Sequence, residues 1–163
     1  MKSIIETKRL FLREFKISDA SFFYELNNDP VVMKYTGDVP FATVNEAHLF
    51  IKNYSHYQEY GFGRWTVVLK DSLEPIGWCG LKYHKEGFID IGYRFAQKYW
   101  GKGYATEAAI SCMEFGRALD GEIPIWGRVD KKNATSIKVL EKLGLNFFKV
   151  DFCEGLEGVL YYK

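Results

Sequence analysis

Residues 98–108 read Lys-Tyr-Trp-Gly-Lys-Gly-Tyr-Ala-Thr-Glu-Ala, two glycines and two lysines placed where a strand-like run meets a helix-like one. These residue types suit an anion held by backbone donors. Gly101 and Gly103 let the main chain approach a ligand with no Cβ in the way. A helix beginning at Gly103 or Tyr104 presents first-turn amides that have no partner inside the helix. With the positive end of the helix dipole and the ammonium groups of Lys98 and Lys102, those amides suit a diphosphate. The run lacks the Gly-Lys-Ser/Thr ending of one common phosphate loop and the third glycine of another, so neither applies.

The elements that must position this loop lie on either side of it. In residues 88–95, Ile89, Ile91, Tyr93 and Phe95 alternate with Asp90, Gly92 and Arg94, the pattern of a half-buried strand. Downstream, Ala105, Ala108, Ala109, Cys112, Phe115, Gly116 and Leu119 recur at helical spacing, which predicts an amphipathic helix. Further out, residues 9–15 read as a first strand, and Ser18 is placed to cap a short helix that stops at Asn27-Asn28-Asp29-Pro30. Thr43 and Glu46 form a capping box opening a helix that runs to Gly61. Residues 64–69 and 76–83 form a hairpin, and Lys85-Glu86-Gly87 turns the chain into the strand before the loop. After the loop helix, residues 123–129 are strand-like, Asn133 caps a helix closed by Gly144, and residues 147–152 and 158–162 complete the sheet. The order is mixed α/β: the strand-helix-strand passage requires a parallel pair, and the hairpins around it are antiparallel.

The spacing Lys-x-x-Gly-x-Gly, followed by Tyr104, Ala105, Thr106, Glu107 and Ala108, resembles the acyl-CoA pyrophosphate loop of the GNAT superfamily of N-acetyltransferases, with Lys98 in place of the usual Gln or Arg. The similarity extends in order over most of the chain. Residues 7–13, 18–20, 29–35, 76–77, 91–93, 133–136 and 141–145 resemble the branch typified by ribosomal-protein N-terminal acetyltransferases. The resemblance implies a mostly antiparallel twisted sheet with a central parallel, splayed strand pair flanked by helices. It implies acetyl-CoA as acetyl donor, bound by Lys98, Trp100, Gly101, Lys102, Gly103, Tyr104 and Ala105 at the loop, by backbone amides near Phe95, and by Asn133 and Ser136.

Direct attack of an amine on a thioester needs a neutral amine and a stabilised thiolate. The family's usual acid is a Tyr at the position of Leu140; in the branch resembled here a serine one turn earlier, Ser136, is implied to assist the sulfur, with Tyr104 in reserve. Serines at a helix start also bond locally. Asp90 corresponds to an acidic position in relatives and is the candidate base, with Arg94 on the same face as a pairing partner; Glu86, Glu154 and Glu157 are alternatives acting through water.

Composition narrows the class. The 163 residues, 47% hydrophobic and 17% aromatic, suit one domain spanning 1–163. A net charge of +1 with interspersed signs gives no nucleic-acid stripe, and Lys131-Lys132 is a local pair beside either a ligand phosphate or solvent. No apolar run suits a membrane span, and Met1-Lys2-Ser3 leads straight into a strand, so the cytoplasm is expected. Cys79, Cys112 and Cys153 lack a paired spacing and should be free thiols, with Cys112 packing in the core; His48, His56 and His84 have no metal-ligand spacing, and no metal is expected. The expected partners are acetyl-CoA and an amine acceptor, a peptide N-terminus or a small amine, with the protein a monomer or homodimer. Tyr35, Trp78, Tyr83 and Phe88 are placed for an aromatic acceptor cleft or for the core, and fold class does not choose the acceptor. A non-catalytic acyl-CoA-binding module and a scaffold without CoA are the competing classes.

Overall fold

Apolar alternation along successive segments builds one mixed sheet, seen in a computed structural model that describes residues 2–119, 121–153 and 156–163, the Cys153 side chain excepted. Met1, Glu154 and the Cys153 thiol lie outside the described residues. The strands are β1 (Ile5–Glu6), β2 (Leu10–Arg13), β3 (Arg64–Leu69), β4 (Pro75–His84), β5 (Phe88–Phe95), β6 (Ile125–Asp130), β7 (Phe147–Cys153) and β8 (Leu156–Tyr162). Their spatial order is β1-β2-β3-β4-β5-β6-β8-β7. Every described neighbour pair is antiparallel except β5 and β6. That parallel pairing is short: it joins Ile89 to Ile125 and ends with Ile91 opposite Gly127, while β5 continues to Phe95 and β6 to Asp130. Beyond Ile91 the two strands part.

The helices are α1 (Ala20–Asn28), α2 (Pro30–Met33), α3 (Val44–Lys52), α4 (His56–Tyr60), α5 (Tyr104–Leu119) and α6 (Ala134–Lys142). The period of two in the strands sorts residues between the sheet faces. Leu12, Trp65, Val67, Leu81, Ile89 and Ile91 face α5, whose Ala108, Ala109 and Cys112 are fully buried against them. The small residues of α5 let the helix lie close to the strands, and each large apolar side chain buried there contributes about 1.5–3 kcal/mol. Cys79 and Cys112 are free, buried thiols with their sulfurs 3.6 Å apart. On the opposite face, α1 and α3 pack Phe23, Leu26, Ala47 and Ile51 around Trp78. No helix among the described residues is long and apolar enough to cross a membrane.

Three local expectations change. Ser18 does not cap the first helix; the Asp19 carboxylate accepts the Lys16 amide at 2.9 Å instead, because Arg13 and Thr66 already hold it there. The helix opened by Thr43 does not run unbroken to Gly61: it ends at Asn53, and α4 starts at His56. The break frees the Tyr54 and Tyr57 hydroxyls to grip Arg64 at the head of β3, Tyr54 accepting its amide at 2.8 Å and Tyr57 donating to its carbonyl. The last strand starts at Leu156, two residues earlier than expected, and inserts between β6 and β7.

Candidate active site

The loop before α5 has the backbone its glycines suggest. Gly101 and Gly103 adopt φ of 73° and 79°, the left-handed region that side-chain-bearing residues avoid, and a Cβ on Gly101 would meet nothing within 4 Å. The amide of Glu107 is taken by Gly103 O, but those of residues 101–106 donate to no acceptor among the described residues. Lys98 and Lys102 flank Tyr99, their ammonium groups 4.8 and 5.7 Å from its ring centroid, and Lys98 also lies 3.9 Å from Glu74. Trp100 is half exposed, with its indole N–H donating to Phe95 O at 2.8 Å.

A clamp from the far end of the chain fixes this loop. Glu107, in the first turn of α5, accepts from Thr7 Oγ1 at 2.6 Å, from the Arg9 amide at 2.9 Å and from Arg9 Nε at 2.6 Å. Arg9 in turn donates to Lys102 O at 3.0 Å and covers the Tyr104 ring. Tyr104 is therefore a partner of Arg9. Residues nearly one hundred positions apart are joined here, which no local spacing announces.

The gap between β5 and β6 opens beside the loop. Ile89 N–H bonds Pro124 O on the β6 side, and Ala96 N–H bonds Ile76 O on the β4 side. Amides alternate sides along a strand, so those of Tyr93 and Phe95 point toward β6 beyond the last paired residues. The Phe95 side chain is core. Across the gap, Asn133 Oδ1 caps α6 by accepting the Ser136 amide at 3.2 Å. The Ser136 carbonyl accepts the Tyr93 phenol at 3.0 Å, and the Ser136 hydroxyl is set against that same phenol. Burial raises the Tyr93 phenol well above its ordinary pKa, so it stays protonated. Leu140 is buried and packs over Gly127.

From this gap a cavity of about 440 Å³ continues to the sheet face opposite α5. Asn133, Ser136 and Leu140 line one end, and Tyr35, Phe41 and Phe50 the other. Its floor carries Arg64, Trp78, Lys82, Asp90, Gly92, Arg94 and Arg128. Of the aromatics expected near an acceptor, Tyr35 and Trp78 line this cavity, Tyr83 packs against the core, and Phe88 stacks between His84 and Trp126.

Asp90 is 5% exposed and sits at the centre of the charges. Its pairing partner is Arg128, not Arg94: Arg128 Nη2 donates to Oδ2 at 3.0 Å and Nε to Oδ1 at 3.3 Å, while Arg94 reaches across to Asp38 and Asn27. Arg64 Nη2 and His84 Nε2 lie 3.8 and 3.9 Å from Oδ2. Burial alone would raise the Asp90 carboxyl, but His84 and the charges of Arg128 and Arg64 outweigh it and hold the pKa below the usual carboxylate value. Glu86 and Glu157 do not line the cavity. Lys131 lies against Gly158, and the Lys132 amide bonds Asp130. No group of three or more potential metal ligands is found among the described residues.

Arg64, Lys82 and Arg128 escape a sequence reading, as does the clamp that joins Arg9 of the opening segment to Glu107 of the loop motif. The one signal was the tyrosine pair at 54 and 57, whose purpose is to hold the Arg64 backbone.

The acetyltransferase (GNAT) domain family matches residues 9–146. An uncharacterized N-acetyltransferase of Bacillus subtilis (strain 168), YnaD, is 35% identical over 158 residues, covering 94% of this chain and 90% of its own. The spermidine N(1)-acetyltransferase of Escherichia coli (strain K12) is 28% identical over 138 residues, covering 83% and 72%. Among solved structures, the ribosomal-protein-S5-alanine acetyltransferase of Vibrio fischeri superposes with a TM-score of 0.81 over 99% of this chain and 95% of its own; at 18% identity that likeness is one of fold.

Proposed function

Because the chain belongs to the GNAT acetyltransferase family, we propose that it transfers an acetyl group directly from acetyl-CoA to the primary amine of a peptide N-terminus or a small molecule, both substrates being bound together. Acetyl-CoA supplies an activated thioester. The amides of residues 101–106 take its diphosphate, with Lys98 and Lys102 adding charge and Trp100, Tyr104 and Ala105 framing the bend. The amides of Tyr93 and Phe95 and the Asn133 side chain hold the pantetheine arm in the gap between β5 and β6.

Ser136, whose hydroxyl stands beside the Tyr93 phenol at the start of α6, donates to the departing sulfur; the Tyr93 phenol, kept protonated by burial, fixes the α6 backbone beside it. The amine enters through the cavity on the opposite sheet face. Asp90 acts there as the counter-ion that orders Arg128 and Arg64, since a carboxylate held below its ordinary pKa is a poor proton acceptor. The surrounding cations favour the neutral amine over its ammonium form, so the amine can lose its proton to water before attack.

The observation that carries this reading is the row of uncommitted amides at residues 101–106, set at the mouth of a gap that leads through the sheet to a second chamber. It is tested by release of CoA thiol from acetyl-CoA over a panel of peptides and small amines, with calorimetric titration of desulfo-CoA alongside. Release with at least one acceptor, and a desulfo-CoA affinity reduced roughly ten- to hundredfold in Gly103→Val by strain at a left-handed position, are expected. Unchanged desulfo-CoA affinity in that variant, or no thiol release with any amine, would overturn it.

A further inference from the structure

Among the described residues that line the cavity, four cations, Arg64, Lys82, Arg94 and Arg128, meet three carboxylates, Asp38, Asp90 and Asp130. Asp38 pairs with Arg94 at the half-exposed rim, and Asp130 accepts an amide in the turn before α6. That leaves Asp90 facing Arg128, Arg64 and, directly across the β4–β5 pairing, Lys82. No carboxylate among the described residues lies within ion-pair distance of Lys82.

Arg64 is the most informative member. Its Nε is shielded from solvent and has no hydrogen-bond partner, and its Nη2 stands 3.8 Å from Asp90, beyond hydrogen-bond reach. A buried guanidinium donor left without an acceptor is unfavourable unless a ligand supplies one. Arg13 also has an unpartnered Nε, but Arg13, the last residue of β2, does not line the cavity.

The rest of the fold holds Arg64 in place. The Tyr54 and Tyr57 hydroxyls bind the backbone N–H and C=O of Arg64, and its guanidinium lies over Trp78, 4.5 Å from the ring centroid. Gly80 and Gly92 stand beside it in the strand register, leaving a lane across β4 and β5. A Cβ on Gly92 would come within 3.3 Å of Arg64 Nη2 and 3.2 Å of Trp78. An arginine presented this way is preorganised to bind a planar anion.

We infer that Arg64, with Lys82 and Arg128, forms a subsite for a carboxylate carried by the amine acceptor, so that the preferred acceptor is an amine with a nearby carboxylate and not a polyamine. The inference rests on the acetyl-transfer reading above and names its substrate class. The carboxylate belongs either to a free amino acid or to an acidic residue at a peptide N-terminus; both present the same group to the guanidinium. The same positive field disfavours a second ammonium on the acceptor.

The test compares kcat/KM for free acidic amino acids, peptides beginning with Asp or Glu, the same peptides beginning with Asn or Gln, and spermidine. The wild type should prefer one of the two carboxylate-bearing arms over its amide counterpart and over spermidine by about tenfold or more, the worth of a charge-assisted hydrogen bond. Arg64→Gln should erase that preference while leaving desulfo-CoA affinity unchanged. Lys82→Gln, at a half-buried strand position with no described ion pair to break, should reduce the preference severalfold and serves if Arg64→Gln does not fold. Thiol release that is equal for amides and carboxylates, fastest with spermidine, or insensitive in selectivity to both substitutions would overturn the subsite and leave acetyl transfer standing. Absence of thiol release with every acceptor tried would overturn acetyl transfer itself.

Discussion

Asp19 and Asp90 are buried carboxylates that face the same side of the sheet, and their surroundings differ in one respect that decides what each can do. Asp19 is saturated: Arg13 binds it bidentately at 2.8 Å for both bonds, Thr66 Oγ1 at 2.9 Å and the Lys16 amide at 2.9 Å. It does not line the cavity that Asp90 borders. Asp90 is shared among Arg128, Arg64 and His84, and borders a chamber open to ligand. The first cluster fastens α1 to β2 and β3. The second gathers Arg128, Arg64 and His84 around one carboxylate at a place another molecule can enter. A buried ion pair is thus framework when its carboxylate is fully consumed and a recognition surface when it is outnumbered.

The largest effect should come from breaking the saturated cluster. Asp19→Asn leaves the buried Arg13 charge unpaired and should destabilise the fold by about 3–5 kcal/mol. For a chain of this size that lowers Tm by roughly 10 °C, readable by calorimetry or urea titration. A change within 1 °C would show that the pair holds nothing together.

The same stabilisation should disappear in acid, and its sign follows from the direction of the shift. Burial raises the Asp19 carboxyl, but Arg13, the Lys16 amide and Thr66 lower it further, so its folded pKa lies below the unfolded value of about 3.9. The contribution is then fully present above that value and is lost as pH falls through the folded pKa. Wild-type stability should drop more steeply below about pH 4 than that of Asp19→Asn, and the two slopes should agree above about pH 5. Parallel curves throughout would mean that Asp19 has no depressed pKa.

A smaller effect is expected at the shared carboxylate. Asp90→Asn should lower stability by about 1–3 kcal/mol, because the guanidinium groups it leaves can turn to water in the chamber. Kinetics decide its role more sharply than stability. Loss of a general base reduces rate by about 10²–10⁴-fold, whereas loss of a counter-ion should change kcat by less than about tenfold and leave desulfo-CoA affinity intact. A drop of the larger size would restore Asp90 as the base.

How much of this was legible in the chain follows from the same contrast. The phosphate-binding bend is written in consecutive residues, since Gly101, Gly103 and the start of α5 act through their own backbone. The strands that frame it were legible from alternation, β5 at its observed bounds and β6 with its ends off by one to two residues. Neither carboxylate cluster was. Asp19 meets Thr66 across 47 positions and Asp90 meets Arg128 across 38, distances fixed by the register of the sheet and by the splay after Ile91 and Gly127. Sequence placed Asp90 and Arg94 on one face correctly but paired them, because nearness along a strand outweighs, in any reading of spacing, a partner on the next strand. The Arg9–Glu107 clamp was hidden for the same reason.

The smallest predicted effect isolates a single bond of the saturated cluster. Thr66 is fully buried on β3, two residues from Arg64, and donates its hydroxyl to Asp19. Thr66→Val keeps the shape of the side chain and removes that one donor, while Arg13 and the Lys16 amide still hold the carboxylate, so the loss should be about 1 kcal/mol. Because the Arg64 backbone is fixed from the other side by Tyr54 and Tyr57, acceptor selectivity should not move with it. Stability shifted with selectivity constant separates framework from recognition surface along one strand. A change in the ratio of kcat/KM between carboxylate and amide acceptors would instead show that the two clusters are coupled through β3, and that the distinction drawn between Asp19 and Asp90 is one of degree.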